Sequence, residues 1–166
     1  MTIDISQLLR KKILKQSIHL EMDKTEVLTN QEEIKVTKPV SINGSLTMAS
    51  DIVALDAQIT TELLLQCSRC IENFTYALDI SIHEEFTNNR DNRDDNVIFI
   101  DSDNIDITDI IDSNIILALP IKSLCNENCK GLCQICGTNL NVNTCNCGDK
   151  DADPRFAKLK DLFSTD

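Results

Sequence analysis

The sequence predicts an α+β protein: an antiparallel β-sheet or partly open barrel, a few helices, and a C-terminal Cys-rich zinc module. Three observations predict it. Apolar residues recur with period two over most of the first 86 residues. Helical spacing appears only after residue 105, and six of the eight cysteines crowd into residues 125–147.

The strands come first. Ile18, Leu20 and Met22 alternate with Ser17, His19 and Glu21, and Ile42, Gly44, Leu46 and Met48 alternate with Ser41, Asn43, Ser45 and Thr47. The longest runs follow. Ala57, Ile59, Thr61, Leu63, Leu65 and Cys67 share one face; Phe74, Tyr76, Leu78, Ile80 and Ile82 share another. Period two places one face of each run in a core and the other in water, so the two should form a long antiparallel hairpin. Its link is Cys67-Ser-Arg-Cys70-Ile-Glu-Asn.

The acidic, asparagine-rich stretch 88–96 predicts a loop, and 97–100 a short strand. Ile107, Ile110, Ile111, Ile115, Ala118 and Leu119 then fall on one helical face. Asp106 is the expected N-cap, and Pro120 stops the helix. Asp153-Pro154 opens a second, short helix with an apolar stripe of Phe156, Leu159, Leu162 and Phe163. The expected organisation is a β-rich domain over 1–120 with one helix at 106–119, and a module over 121–166 packed on it.

Composition narrows the function. The net charge is −11, which opposes general nucleic-acid binding, because phosphate contacts need clustered Lys and Arg. Residues 120–163 hold six Lys or Arg against five Asp or Glu, so residues 1–119 carry nearly all the negative charge. Such an acidic body suits a basic partner. No run of 18 apolar residues exists, and residues 1–15 lack the apolar core of a signal peptide. A cytoplasmic protein without a membrane partner is expected. No Gly-rich phosphate loop or acid–base constellation stands out, so neither an enzyme nor a small-molecule substrate is expected. His19 and His83 read as solvated residues on polar strand faces.

The cysteines carry the chemistry. Cys67, Cys70, Cys125, Cys129, Cys133, Cys136, Cys145 and Cys147 are spaced C-x2-C, then C-x3-C-x3-C-x2-C-x8-C-x-C. A reducing cytoplasm disfavours four disulfides. A C-x2-C turn aims two sulfurs at one ion, and a structural zinc takes four tetrahedral ligands. Eight thiols therefore match one or two structural zinc ions, although four thiolates also suit an iron–sulfur cluster. Cys133-Gln-Ile-Cys136-Gly137 has the shape of a zinc knuckle. One pairing joins Cys67 and Cys70 to Cys125 and Cys129, leaving the other four as a second site. The alternative joins Cys67 and Cys70 to Cys133 and Cys136.

Cys67-Ser-Arg-Cys70-Ile71, Leu117-Ala-Leu-Pro120, Cys129-Lys-Gly-Leu-Cys133, Cys136-Gly-Thr-Asn-Leu-Asn141, Cys145-Asn-Cys147 and Asp153-Pro-Arg155 together resemble the YceD-like family. That family is associated with accumulation of large-subunit ribosomal RNA in bacteria and plastids. The resemblance implies a non-enzymatic ribosome-biogenesis factor that promotes 23S ribosomal RNA accumulation. Its implied partners are large-subunit ribosomal RNA or a basic ribosomal or assembly protein, met through Arg69, Lys130, Arg155 and Lys158. Some members lack the counterpart of 133–147 while keeping the pair that matches Cys67 and Cys70. That implies the first pairing. An RNA-processing enzyme and a redox-sensing zinc thiolate are the competing readings.

Overall fold

The structure is a computed structural model and describes residues 1–28, 33–89 and 97–147. The expected helix at 153–163, with Arg155 and Lys158, lies outside the described residues, as do 90–96 of the expected acidic loop. In chain order the elements are β1 (Thr2–Asp4), α1 (Ser6–Leu9), β2 (Lys15–Met22), β3 (Glu26–Leu28), β4 (Glu33–Ala49), β5 (Ile52–Gln66), β6 (Asn73–Thr87), β7 (Val97–Phe99), β8 (Asn104–Asp106) and α2 (Thr108–Leu117).

The main sheet runs β2-β4-β5-β6-β7, with β3 beside β2 on the same edge of β4. It is a mostly antiparallel, open sheet and not a closed barrel. The predicted hairpin is β5–β6, paired without interruption from Ile52↔Thr87 to Gln66↔Asn73. Its burial alternates as the sequence does. Val53, Leu55, Ala57, Ile59, Thr61, Leu63 and Leu65 are buried, while Asp56, Gln58 and Gln66 are exposed.

The strand β4 reaches further than its period-two core suggests. Its ladder to β5 slips between Val36 and Lys38 and again between Lys38 and Ser41. Pro39 lies in this stretch and has no N–H to give a ladder, which accounts for a bulge there. Gly44 faces Ala57 at closest approach. A Cβ on Gly44 would sit 2.2 Å from the Asp56 carbonyl oxygen, so only glycine fits.

The edge strand β7 pairs in parallel with β6, Glu85↔Val97 to Thr87↔Phe99. A separate two-stranded ladder joins β1 to β8. The helix starts at Thr108, two residues later than expected, because Asp106 belongs to β8. Asp106 nevertheless serves the helix end: its Oδ1 accepts from the Thr108 N–H at 3.0 Å and from the Thr108 hydroxyl at 2.7 Å. Those bonds hold the Asp106 carboxyl well below the usual range. The short helix α1 was not expected; its Leu8 is fully buried.

The core lies on the apolar face of the sheet. Ile111 and Ile115 of α2, with Ile107 just before it, Ile5 and Leu8, close it over Ile42, Leu46, Leu55, Ile59, Leu63 and Phe86. Lys24 pairs with Asp112, and Asn114 donates to Glu84 at 2.9 Å, which fixes α2 against the sheet. No helix among the described residues is long and apolar enough to cross a membrane.

Two candidate metal centres

The β5–β6 hairpin delivers Cys67 and Cys70 at its turn. The Cys67 N–H donates to the Glu72 carbonyl and the Ile71 N–H donates to the Cys67 carbonyl, both at 2.9 Å. Residues 133–138 repeat this pattern. The Cys133 N–H donates to the Thr138 carbonyl at 2.8 Å, and the Gly137 N–H to the Cys133 carbonyl at 2.9 Å. Both are knuckles, and in each the residue after the second cysteine has positive φ: 65° at Ile71 and 72° at Gly137.

The first knuckle is stitched to the downstream segment. The Ser68 N–H donates to the Ser123 carbonyl at 2.8 Å, and the Leu132 N–H to the Arg69 carbonyl at 3.1 Å. Arg69 Nη1 donates to the Cys129 carbonyl at 2.8 Å and the Glu127 carbonyl at 3.3 Å. Gly131, at φ 74°, packs its Cα against Arg69, where a Cβ would lie 3.0 Å from the Arg69 carbonyl oxygen.

These contacts gather Cys67, Cys70, Cys125 and Cys129 into one group, and Cys133, Cys136, Cys145 and Cys147 into another. Within each group all four sulfurs lie within 4.8 Å of one another. Cys67 Sγ is 3.8 Å from Cys129 Sγ, and Cys70 Sγ is 3.6 Å from Cys125 Sγ. A disulfide needs about 2.05 Å. Four sulfurs about 2.3 Å from a central ion form a tetrahedron with edges of about 3.8 Å. The donor sets therefore fit, and each can hold one metal ion. The grouping is the first of the two pairings that the spacing allowed.

The electrostatics point the same way. Backbone N–H groups of Cys125 and Cys70 bring the Cys67 thiol down to about 6. The Thr138 hydroxyl, 3.1 Å from its sulfur, together with the Thr138 N–H, brings Cys136 down to about 6. Lost hydration and the neighbouring sulfurs push Cys125 up to about 12; hydrogen bonding to Cys136 and lost hydration do the same for Cys147. Thiolates this close repel one another, and only a shared cation lets all four ionise. Asn141 Nδ2 also donates to Cys129 Sγ at 3.3 Å, as an outer-shell hydrogen bond to a ligand would.

Of the four basic residues named for partner contact, Arg69 and Lys130 are described and both are exposed. Arg69 spends its guanidinium on the carbonyls above. His83 stands apart from both centres on the polar sheet face. Its Nδ1 is 2.7 Å from Asp56 and its Nε2 3.6 Å from Glu85. Asn141 stood in the sequence only as the last residue of the Cys136–Asn141 motif, and an asparagine in a loop signals nothing about a sulfur.

The fold and site define an open β-sheet protein with two four-cysteine groups, one of which takes two of its cysteines from a β-hairpin turn. Residues 55–163 match the family model described as large ribosomal RNA subunit accumulation protein YceD, and the chain belongs to that family. It is 32% identical to the uncharacterized protein YlbN of Bacillus subtilis, over 88% of this chain and 89% of that one. It is 28% identical to the chloroplastic large ribosomal RNA subunit accumulation protein YCED homolog 1 of Arabidopsis thaliana. That match covers 75% of this chain and 48% of the plant protein. The Zea mays protein of the same name is 29% identical, over 75% of this chain and 54% of that protein. The chain thus spans about half the length of the plant relatives. No solved structure matches.

Proposed function

We propose that this chain is a non-enzymatic cytoplasmic factor that promotes accumulation of large-subunit ribosomal RNA. Family membership, with relatives named for that role, is the observation that carries the reading. Two structural zinc ions, one per four-cysteine group, hold residues 121–147 as a rigid binding module on the β-rich body. Closed four-thiolate sites leave no open coordination position, which favours a structural metal over a catalytic one. The cysteine spacing and the sulfur–sulfur distances favour zinc as the ion.

The module meets either ribosomal RNA or a basic protein of the large subunit. Lys130 lies on its exposed surface, and Arg155 and Lys158 follow it in sequence. The geometry at Arg69 supports a bracing role for that residue beside any partner contact. Binding to RNA should weaken steeply with salt.

Deleting the gene in the source organism and measuring the ratio of large- to small-subunit ribosomal RNA tests the reading. A lowered ratio is expected, restored by the wild-type gene and not by Cys67→Ser. An unchanged ratio contradicts it. Cleavage of precursor ribosomal RNA by the purified chain, lost on a single carboxylate substitution, would replace it with an enzyme.

A further inference from the structure

The two knuckles differ at one telling position. Gly137 and Ile71 hold the same place after the second cysteine, with the same backbone hydrogen bonds and the same left-handed φ. Glycine adopts that conformation without strain, whereas a β-branched residue does so at a cost. The fold gains nothing visible in return, because the Ile71 side chain is 58% exposed. Backbone strain that the core does not require is a mark of function.

Ile71 lies between two residues, Cys70 and Glu72, that line a cavity of about 410 Å³. Its other walls include Cys125, Asn126, Asn128 and Val142, and Val142 is 75% exposed. The size suits a side chain or small ligand. Among the described residues the walls hold Glu72 and no Lys or Arg. The Asn128 N–H donates to Asn126 Oδ1 at 2.9 Å, while the Asn128 carboxamide has no hydrogen-bond partner among the described residues and offers its oxygen to a donor. Arg69, next along the chain, is turned to backbone carbonyls. Four thiolates around a divalent ion add about two further negative charges, and the chain carries −11 before these are counted. A phosphate would be repelled from this place. A guanidinium or ammonium would find a carboxylate, amide oxygens and thiolates, with apolar contacts for its stem at the rim.

We propose that this cavity, with Val142 in its wall and the exposed Ile71 beside it in the chain, is the docking site for an arginine- or lysine-bearing segment of a basic protein. It deepens the reading above by naming the partner's chemistry, and rests on it for the partner's identity as a ribosomal component.

The test is an NMR titration of the metal-loaded full chain with three probes. The first is a tetrapeptide of alternating leucine and arginine, the second its glutamine counterpart, and the third a uridine hexamer. The arginine peptide is expected to shift the amides of Glu72, Asn126, Asn128 and Val142, and the glutamine peptide to leave them still. Ile71→Gly, Val142→Ser and Glu72→Gln should each weaken the arginine peptide at least fivefold with metal content unchanged. Shifts spread over the whole acidic surface would overturn the proposal, as would undiminished binding by all three variants. Tighter occupation of the same residues by the uridine hexamer would assign the site to RNA instead. A gene deletion that leaves ribosomal RNA unchanged removes the functional reading and not the site. Loss of peptide selectivity removes the site and leaves the functional reading in place.

Discussion

Ile71 shows how much a single residue can hide from sequence. Its place after Cys70 reads as an ordinary apolar residue in a turn, and only φ 65° marks it out. Gly137 was legible because glycine after a knuckle announces the conformation it permits. The left-handed region costs a non-glycine residue about 1–2 kcal/mol. Ile71→Gly should therefore stabilise the folded chain by about 1 kcal/mol, read as a higher midpoint in denaturant, in parallel with its predicted loss of partner binding. His83 was expected to be a solvated strand residue, and it is exposed, yet Asp56 and Glu85 flank its ring. Asp56, hydrogen-bonded to Nδ1, holds the imidazole above its ordinary value, and Glu85 adds to this. The stabilisation this gives is complete below about pH 6.5 and is lost as pH rises through the raised folded value. An NMR pH titration should show a His83 midpoint above 6.5, falling back in Asp56→Asn.

At the level of elements, legibility followed length. The strands β5 and β6 each run 15 residues with clear alternation, and both were visible in the sequence. The strands β1, β3, β7 and β8 have three residues each, too few for a period to show. Of these only β7 was foreseen, and its parallel pairing was not. Three-residue strands are fixed by their neighbours in space, which local pattern does not encode. The first half of β4 was hidden by Lys35, Lys38 and Pro39, which spoil the alternation where the ladder to β5 slips. Gly44 was placed on the apolar face without any sign of its close approach to β5. Gly44→Ala forces a Cβ onto the β5 backbone and should cost about 3 kcal/mol, at the upper end of overpacking effects. A drop in thermal midpoint, with metal content intact, is the expected result.

Across the whole molecule, stability divides unevenly. Among the described residues the main core joins 23 buried apolar residues from α1, α2, the two sheets and the segments between them. The first cysteine group has Cys67, Cys70 and Cys129 as its buried members, with Phe74, Leu124 and Leu132 packed beside them. A cluster that small cannot order the module by hydrophobic burial alone, at about 1.5–3 kcal/mol for each fully buried large side chain. Metal binding in small structural sites contributes about 10–16 kcal/mol and, on the proposed reading, would supply the difference. A strong chelator should therefore loosen residues 121–147 while the sheet persists. Amide hydrogen exchange would show fast exchange in the module and slow exchange in β5 and β6. Loss of protection throughout the sheet would mean that the two parts fold as one unit. That the cysteines could hold metal as two groups of four was legible from their spacing, but the choice between two pairings leaned on a family resemblance until the hairpin set Cys67 and Cys70 beside Cys125 and Cys129.

Native mass spectrometry of the purified chain, with elemental analysis of the same sample, decides whether the two four-cysteine groups hold structural zinc. Two zinc ions per chain and eight unmodified thiols after their removal are expected. A chain free of metal, or one lighter by two hydrogens for each disulfide formed, would contradict this.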